Sequence, residues 1–119
     1  MERPARKFED LIVWQKARQL VLSVYQLTRQ FPRSELFGLS SQIQRASVSV
    51  PANIAEGFKK KTNAEKARYL NIAQASFEET RCYLILANDL GYGQTSQAMQ
   101  QLEEVSKLLE SYYRKVSNS

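Results

Sequence analysis

Apolar residues recur at steps of four and three along nearly the whole chain. Val13, Ala17, Leu20, Val24, Leu27 and Phe31 form the first such row. That spacing returns to one helical face every two turns, so it predicts an amphipathic helix from Glu9 or Asp10 that Pro32 stops. Leu39, Ile43, Ala46, Val50, Asn53 and Gly57 form the second row and keep phase straight through Pro51. Unbroken phase across a proline predicts one helix kinked at that point, with Ser47 and Ser49 available to the backbone group it frees. Ser41 and Gln44 have capping-box spacing at its start, and Ser34 caps a single turn before it. Thr62 and Glu65 form a second capping box opening a third helix. Gly91 followed by Tyr92 reads as its C-terminal stop. The fourth row is Ala98, Leu102, Val105, Leu109, Tyr112 and Val116.

The third helix differs from the rest. Leu70, Ala73, Phe77, Leu84 and Ala87 make one row, and Tyr69, Ile72, Tyr83, Leu86 and Leu90 make another beside it. Two rows imply a helix covered over much of its circumference or one that meets a second subunit. Short connections between four helices make sequential neighbours antiparallel. The expected fold is therefore all-α: an antiparallel up-down-up-down four-helix bundle with a proline-kinked second helix. It occupies 9–117, after a mobile basic arm at 1–8.

The stretch from Ser47 to Phe58 combines Pro51 with small residues at 52, 55 and 57, and a single amide, Asn53. Small side chains let a neighbouring helix approach closely, and a buried amide needs a partner. We read Pro51, Asn53, Glu56 and Gly57 as packing and register elements, Asn53 bonding across an interface. Trp14, Tyr25 and Tyr113 are the aromatic residues expected to remain outside and serve subunit contacts.

Charge changes the picture. The 119 residues carry a net +5, but residues 1–68 hold 13 Lys/Arg against 6 Asp/Glu, and residues 69–119 hold 4 against 6. The first part is thus +7 and the second −2. Such asymmetry points to a polyanionic partner or to complementary contact between subunits. No apolar run reaches the eighteen or so residues of a membrane helix, and no signal-peptide core opens the chain. The lone Cys82 precludes an internal disulfide, suits a reducing cytoplasm, and is expected to pack as a small apolar residue.

These residues resemble the bacterial 23S rRNA intervening-sequence proteins. The likeness rests on Phe8 to Ala17, on Phe31-Pro32 with Glu35, Phe37, Gly38 and Leu39, and on Gln42 to Ala46. Ser49 to Gly57, containing Pro-Ala-Asn-Ile-Ala-Glu-Gly, is its most specific part, and Leu70, Ile72-Ala73, Ser76, Glu79 and Leu90-Gly91-Tyr92 complete it. The resemblance implies an antiparallel four-helix bundle. It also implies kinship with the accessory protein of diversity-generating retroelements, a basic homopentameric barrel that associates with nucleic acid and a reverse transcriptase. A homo-oligomer, a pentamer by that likeness, is the expectation for this chain.

Catalytic chemistry finds little support. There is no histidine and one cysteine, which removes the commonest general base and any cysteine-based zinc cluster. No glycine-rich phosphate loop or nucleophile elbow occurs. Glu78-Glu79 and Glu103-Glu104 are adjacent pairs, splayed by about 100° on a helix, and read as solvated faces. We expect no enzyme activity, cofactor, metal, membrane or small-molecule substrate. Lys59, Lys60 and Lys61, with Lys66 and Arg68 on the next helix, form the candidate site for RNA or DNA phosphates, which Arg45, Lys16 and Arg18 would extend. Clustering matters because counterion release grows with each phosphate neutralised. Two other readings stay open: a solubilising helix end with Glu56 and Lys60 as an i,i+4 pair, or a scaffold surface that docks an acidic protein.

Overall fold

The structure, a computed structural model, describes residues 4–119. Four helices account for most of them: α1 (Ile12–Thr28), α2 (Leu39–Lys59), α3 (Asn63–Asp89) and α4 (Ser96–Ser117). They form a four-helix bundle, and no strand occurs among the described residues. All six residues of the first predicted row are buried, as are the first row of α3 and five of the six on α4. Only Tyr112 of the last row stays half-buried. On α2 the core follows Ile43, Ala46, Val50, Ile54 and Gly57, so Ile54, fully buried, takes the place expected of Asn53. Both positions fit a four-three rhythm, and the larger apolar side chain goes inward because its burial is worth more.

Helix ends depart from expectation in instructive ways. A short 3-10 turn, Phe8–Asp10, precedes α1, and Leu11 is extended, so the helix begins at Ile12. Asp10 accepts the backbone N–H groups of Arg6 and Lys7 at 3.0 and 3.3 Å, which ties down part of the arm predicted to be mobile; residues 1–3 of that arm lie outside the described residues. The backbone bonds from Arg6 and Lys7 lower the Asp10 pKa against a smaller effect of burial, the Arg6 bond contributing most. α1 ends at Thr28, short of Phe31. Ser41 and Gln44 do not cap α2, and Ser34 does not cap the 3-10 turn Arg33–Glu35. Glu35 does the capping instead. Its carboxylate accepts the Leu39 N–H at 3.0 Å and the Tyr92 hydroxyl at 2.8 Å.

Tyr92 also packs against Phe31, the rings tilted by 52° with 5.5 Å between their centroids. Together these contacts bind the α1–α2 link to the α3–α4 link at one end of the bundle. The backbone N–H bond from Leu39, then the hydroxyl bond from Tyr92, holds the Glu35 carboxyl below its ordinary pKa. A depressed folded-state pKa adds stability that is present above the unfolded value and lost as pH falls through the folded one. Glu35→Gln should therefore unfold more easily than the parent at pH 7, with the gap closing below about pH 4. Urea midpoints measured across pH 2.5–7 check this; a gap that persists at pH 2.5 contradicts it.

The other boundaries follow the expected chemistry. Thr62 Oγ1 accepts the Glu65 N–H at 3.2 Å and caps α3, which is one half of the expected capping box; the Glu65 carboxylate does not return a bond to the Thr62 N–H. Gly91 has φ +71, a conformation other residues resist. Its N–H bonds to Asn88 O and that of Tyr92 to Ala87 O, the two bonds of a Schellman stop.

α2 passes through Pro51 without interruption. Ser47 Oγ donates to Gln44 O at 3.0 Å, and Ser49 Oγ pairs with Ser76 Oγ of α3 at 2.8 Å. Neither hydroxyl serves the Ser47 carbonyl left by the proline, contrary to the expectation. Between α2 and α3 the contact pairs Ser49–Ser76, Gly57–Tyr69 and Phe58–Lys66 climb one helix as they descend the other, so these two run antiparallel. Asn53 Nδ2 donates to both Ser49 O and Ser49 Oγ, at 2.8 and 2.9 Å. The amide thus stays on its own helix and reaches α3 only through the Ser49 hydroxyl.

Candidate nucleic-acid interface

The sequence singled out five cations around the α2–α3 link, and the structure gathers them at one end of the bundle in unequal roles. Lys60 is the extended C-terminal cap of α2, its N–H bonded to Gly57 O at 3.2 Å. Its ammonium lies 4.8 Å from the centre of the Tyr69 ring, and the Arg68 guanidinium lies 5.7 Å from the same ring. The expected Glu56–Lys60 pair is not formed, because Lys60 is drawn to the aromatic face. Glu56 stays exposed. Lys66 reaches back from α3 and donates to Phe58 O at 2.6 Å, with its ammonium 5.3 Å from the Phe58 ring. A cation there satisfies a carbonyl of the last turn and complements the negative end of the α2 dipole.

Lys66 therefore belongs to the fold more than to a ligand. Lys66→Met should lower stability by about 1 kcal/mol, while Lys61→Met should stay within about 0.5 kcal/mol of the parent. Denaturant titration of the two variants separates them, and equal loss in both would contradict this division. Lys59 and Lys61 are exposed, and neither enters an ion pair among the described residues. Arg68 is engaged only by Glu65 at 3.6 Å and by Tyr69. The free part of the cluster is thus Lys59 and Lys61, with Arg68 beside them.

The remaining candidates do not form one surface with that cluster. Arg45 lies on the exposed side of α2, four turns before Lys59. Arg18 is exposed on α1. Lys16 is half-buried at the α1–α4 seam and pairs with Glu104 at 3.2 Å. The acidic pairs read as solvated faces also link helices: Arg81 of α3 lies 3.9 Å from both Glu78 and Glu103. Cys82, expected in the interior, is exposed. Trp14 and Tyr113 are half-buried against the chain's own core, Trp14 edge-on to Phe8 at 5.0 Å. Tyr25 alone of that aromatic set is exposed, at 42%. Phe37 was missed as an outside residue although it is 92% exposed; the Pro-Arg-Ser-Glu turn before it was the available signal.

Among the described residues no group of three or more His, Cys, Asp or Glu could hold a metal ion, and no helix is long and apolar enough to cross a membrane. The family model described as "23S rRNA-intervening sequence protein" matches residues 9–111. The chain belongs to that family. Its fold also matches a crystal structure of a protein with unknown function from the S23 ribosomal protein family of Bacteroides thetaiotaomicron. The two share 26% identity with a TM-score of 0.77, over 87% of this chain and 96% of that one. Among curated proteins none matches the chain. The family match begins at Glu9 and includes the Pro51 to Gly57 stretch together with the lysine cluster, so both features fall within the family domain.

Proposed function

We propose that this protein is a non-enzymatic, cytoplasmic homo-oligomer, a pentamer by the family likeness, that binds the phosphate backbone of RNA or DNA through a basic end. The observation that carries the reading is the pair of exposed lysines without an ion-pair partner, Lys59 in the last turn of α2 and Lys61 in the link that follows, near Arg68. Lys66 and Lys60 fix that end, so the free ammonium groups are presented from an ordered frame and lose less freedom on binding. Repetition around an oligomer turns a few weak contacts per copy into avidity. The cluster offers point charges and no exposed aromatic platform for bases, which favours backbone and shape over sequence. The family description, an rRNA intervening sequence, is consistent with an RNA ligand.

The test is recovery of the protein from cell extract at low salt, with and without nuclease, followed by a gel shift with a structured RNA. Nucleic acid should accompany the protein and disappear on nuclease treatment, and the purified protein should shift the RNA. A protein partner that survives nuclease, with no RNA shift, would overturn the reading in favour of a scaffold that docks an acidic protein. Light scattering at micromolar concentration checks the assembly, and a monomer there contradicts it.

A further inference from the structure

Two helices carry outward rows that a single chain leaves uncovered. On α1, Arg18, Leu22, Tyr25 and Arg29 step by four, three and four, which stacks them on one side of the helix. All four are exposed, Leu22 at 57%. On α3, Glu79, Cys82, Leu86 and Asp89 step by three, four and three, and all are exposed, Leu86 at 43%. Each row has an uncharged centre and a charge at either end, and the charges are opposite in sign. The spans match as well. Arg18 to Arg29 covers about 16.5 Å of helix and Glu79 to Asp89 about 15 Å, at about 1.5 Å per residue.

The levels match too. Phe31 against Tyr92 sets the C-terminal ends of α1 and α3 at the same end of the bundle. Arg29 and Asp89, each close to its helix end, then lie near one level. Among the described residues Arg18, Arg29 and Asp89 enter no ion pair, and Glu79 accepts only a 3.3 Å bond from Tyr83 on one of its oxygens.

We infer that a second copy of this chain docks here, the α3 row of one copy lying against the α1 row of the next, with Glu79 facing Arg18 and Asp89 facing Arg29. This rests on the homo-oligomer reading above and names its interface. Opposite charges at matched intervals on two faces of one chain select another copy as the occupant. The contact joins two different faces, so it is heterologous and leaves each copy with one face still to fill; such contacts close into rings or run on as filaments. Matched levels need rotation without translation, which favours a ring. Arg18 serves assembly in this arrangement, not phosphate.

Charge reversal tests the pairing by light scattering, with circular dichroism to check that each variant is helical. The parent should be an oligomer, and R18E/R29E and E79R/D89R should each fall to the 13.7 kDa of one chain. Mixed one to one, the two reversed faces are complementary to each other, as are the two native faces, so the variants should associate in alternation into species heavier than one chain. A ring of five cannot alternate throughout, so the readout is association and not the parent's mass. A monomeric parent defeats the homo-oligomer reading itself. An oligomeric parent whose variants keep their mass, or whose mixture stays monomeric, overturns this interface and leaves that reading standing.

Discussion

Replacing Gly57 by valine is expected to lower the stability of the bundle by about 3 kcal/mol, a shift of roughly 1–2 M in the urea midpoint. A Cβ at this position would sit 3.0 Å from Tyr69 Cβ and 3.3 Å from Lys66 O. Neither atom is the far end of a flexible side chain, so α3 itself has to move. Moving it strains the Ser49–Ser76 bond and the Lys66 cap on α2, both built on that close approach. Alanine at the same site gains up to about 1 kcal/mol of helix propensity and meets the same two atoms with one carbon, so its loss should be nearer 1 kcal/mol. Equilibrium urea unfolding of both variants measures this, and a midpoint for valine at or above the parent's would show that the small-residue run does not set the helix spacing.

The second large effect concerns the basic end. Lys59→Glu with Lys61→Glu is expected to weaken RNA binding at least about tenfold, and to lower the slope of log affinity against log salt by about 2 for each copy that contacts the RNA. These two lysines have no internal partner to lose, but Lys59 lies in the last turn of α2, where glutamate opposes the helix dipole, so the double variant should stay folded and within about 1 kcal/mol of the parent. That separation makes the result interpretable: lost binding with retained stability reports phosphate contacts alone. Fluorescence anisotropy with a labelled hairpin RNA gives both the affinity and the slope. Unchanged affinity in the double variant would remove these lysines from any site.

Much of this fold is legible in the four-three rhythm, because burying one face of each helix dominates the choice of which residues go inside. Val13 to Phe31 and Leu70 to Ala87 follow that rule without exception. Asn53 broke it, since Ile54 offers more apolar area one residue away and the amide found its partner on Ser49. Helix starts were less readable. Ser41 and Gln44 had the spacing of a cap, but Glu35, outside the helix, reached Leu39 first because the turn at Gly38 folds it back. Within the candidate site the sequence marked all five cations by type alone. It did not reveal that Lys60 and Lys66 spend their charge on Tyr69, Phe58 and the end of α2, since that depends on how closely two helices pack at Gly57. Cys82 was misplaced for a related reason: it lies in an apolar stretch of α3, but α3 packs only against α2 and α4 among the described residues and leaves Cys82 exposed.

The central claim is that a fixed basic end binds nucleic-acid backbone. The most direct measurement is the affinity of the intact protein for a structured RNA across a salt series from about 25 to 300 mM. Binding should be tight at the low end and fall linearly on logarithmic axes, with a slope magnitude of at least about 2, and differ little between RNAs of equal shape and different sequence. No binding at the lowest salt, or binding indifferent to salt, contradicts it.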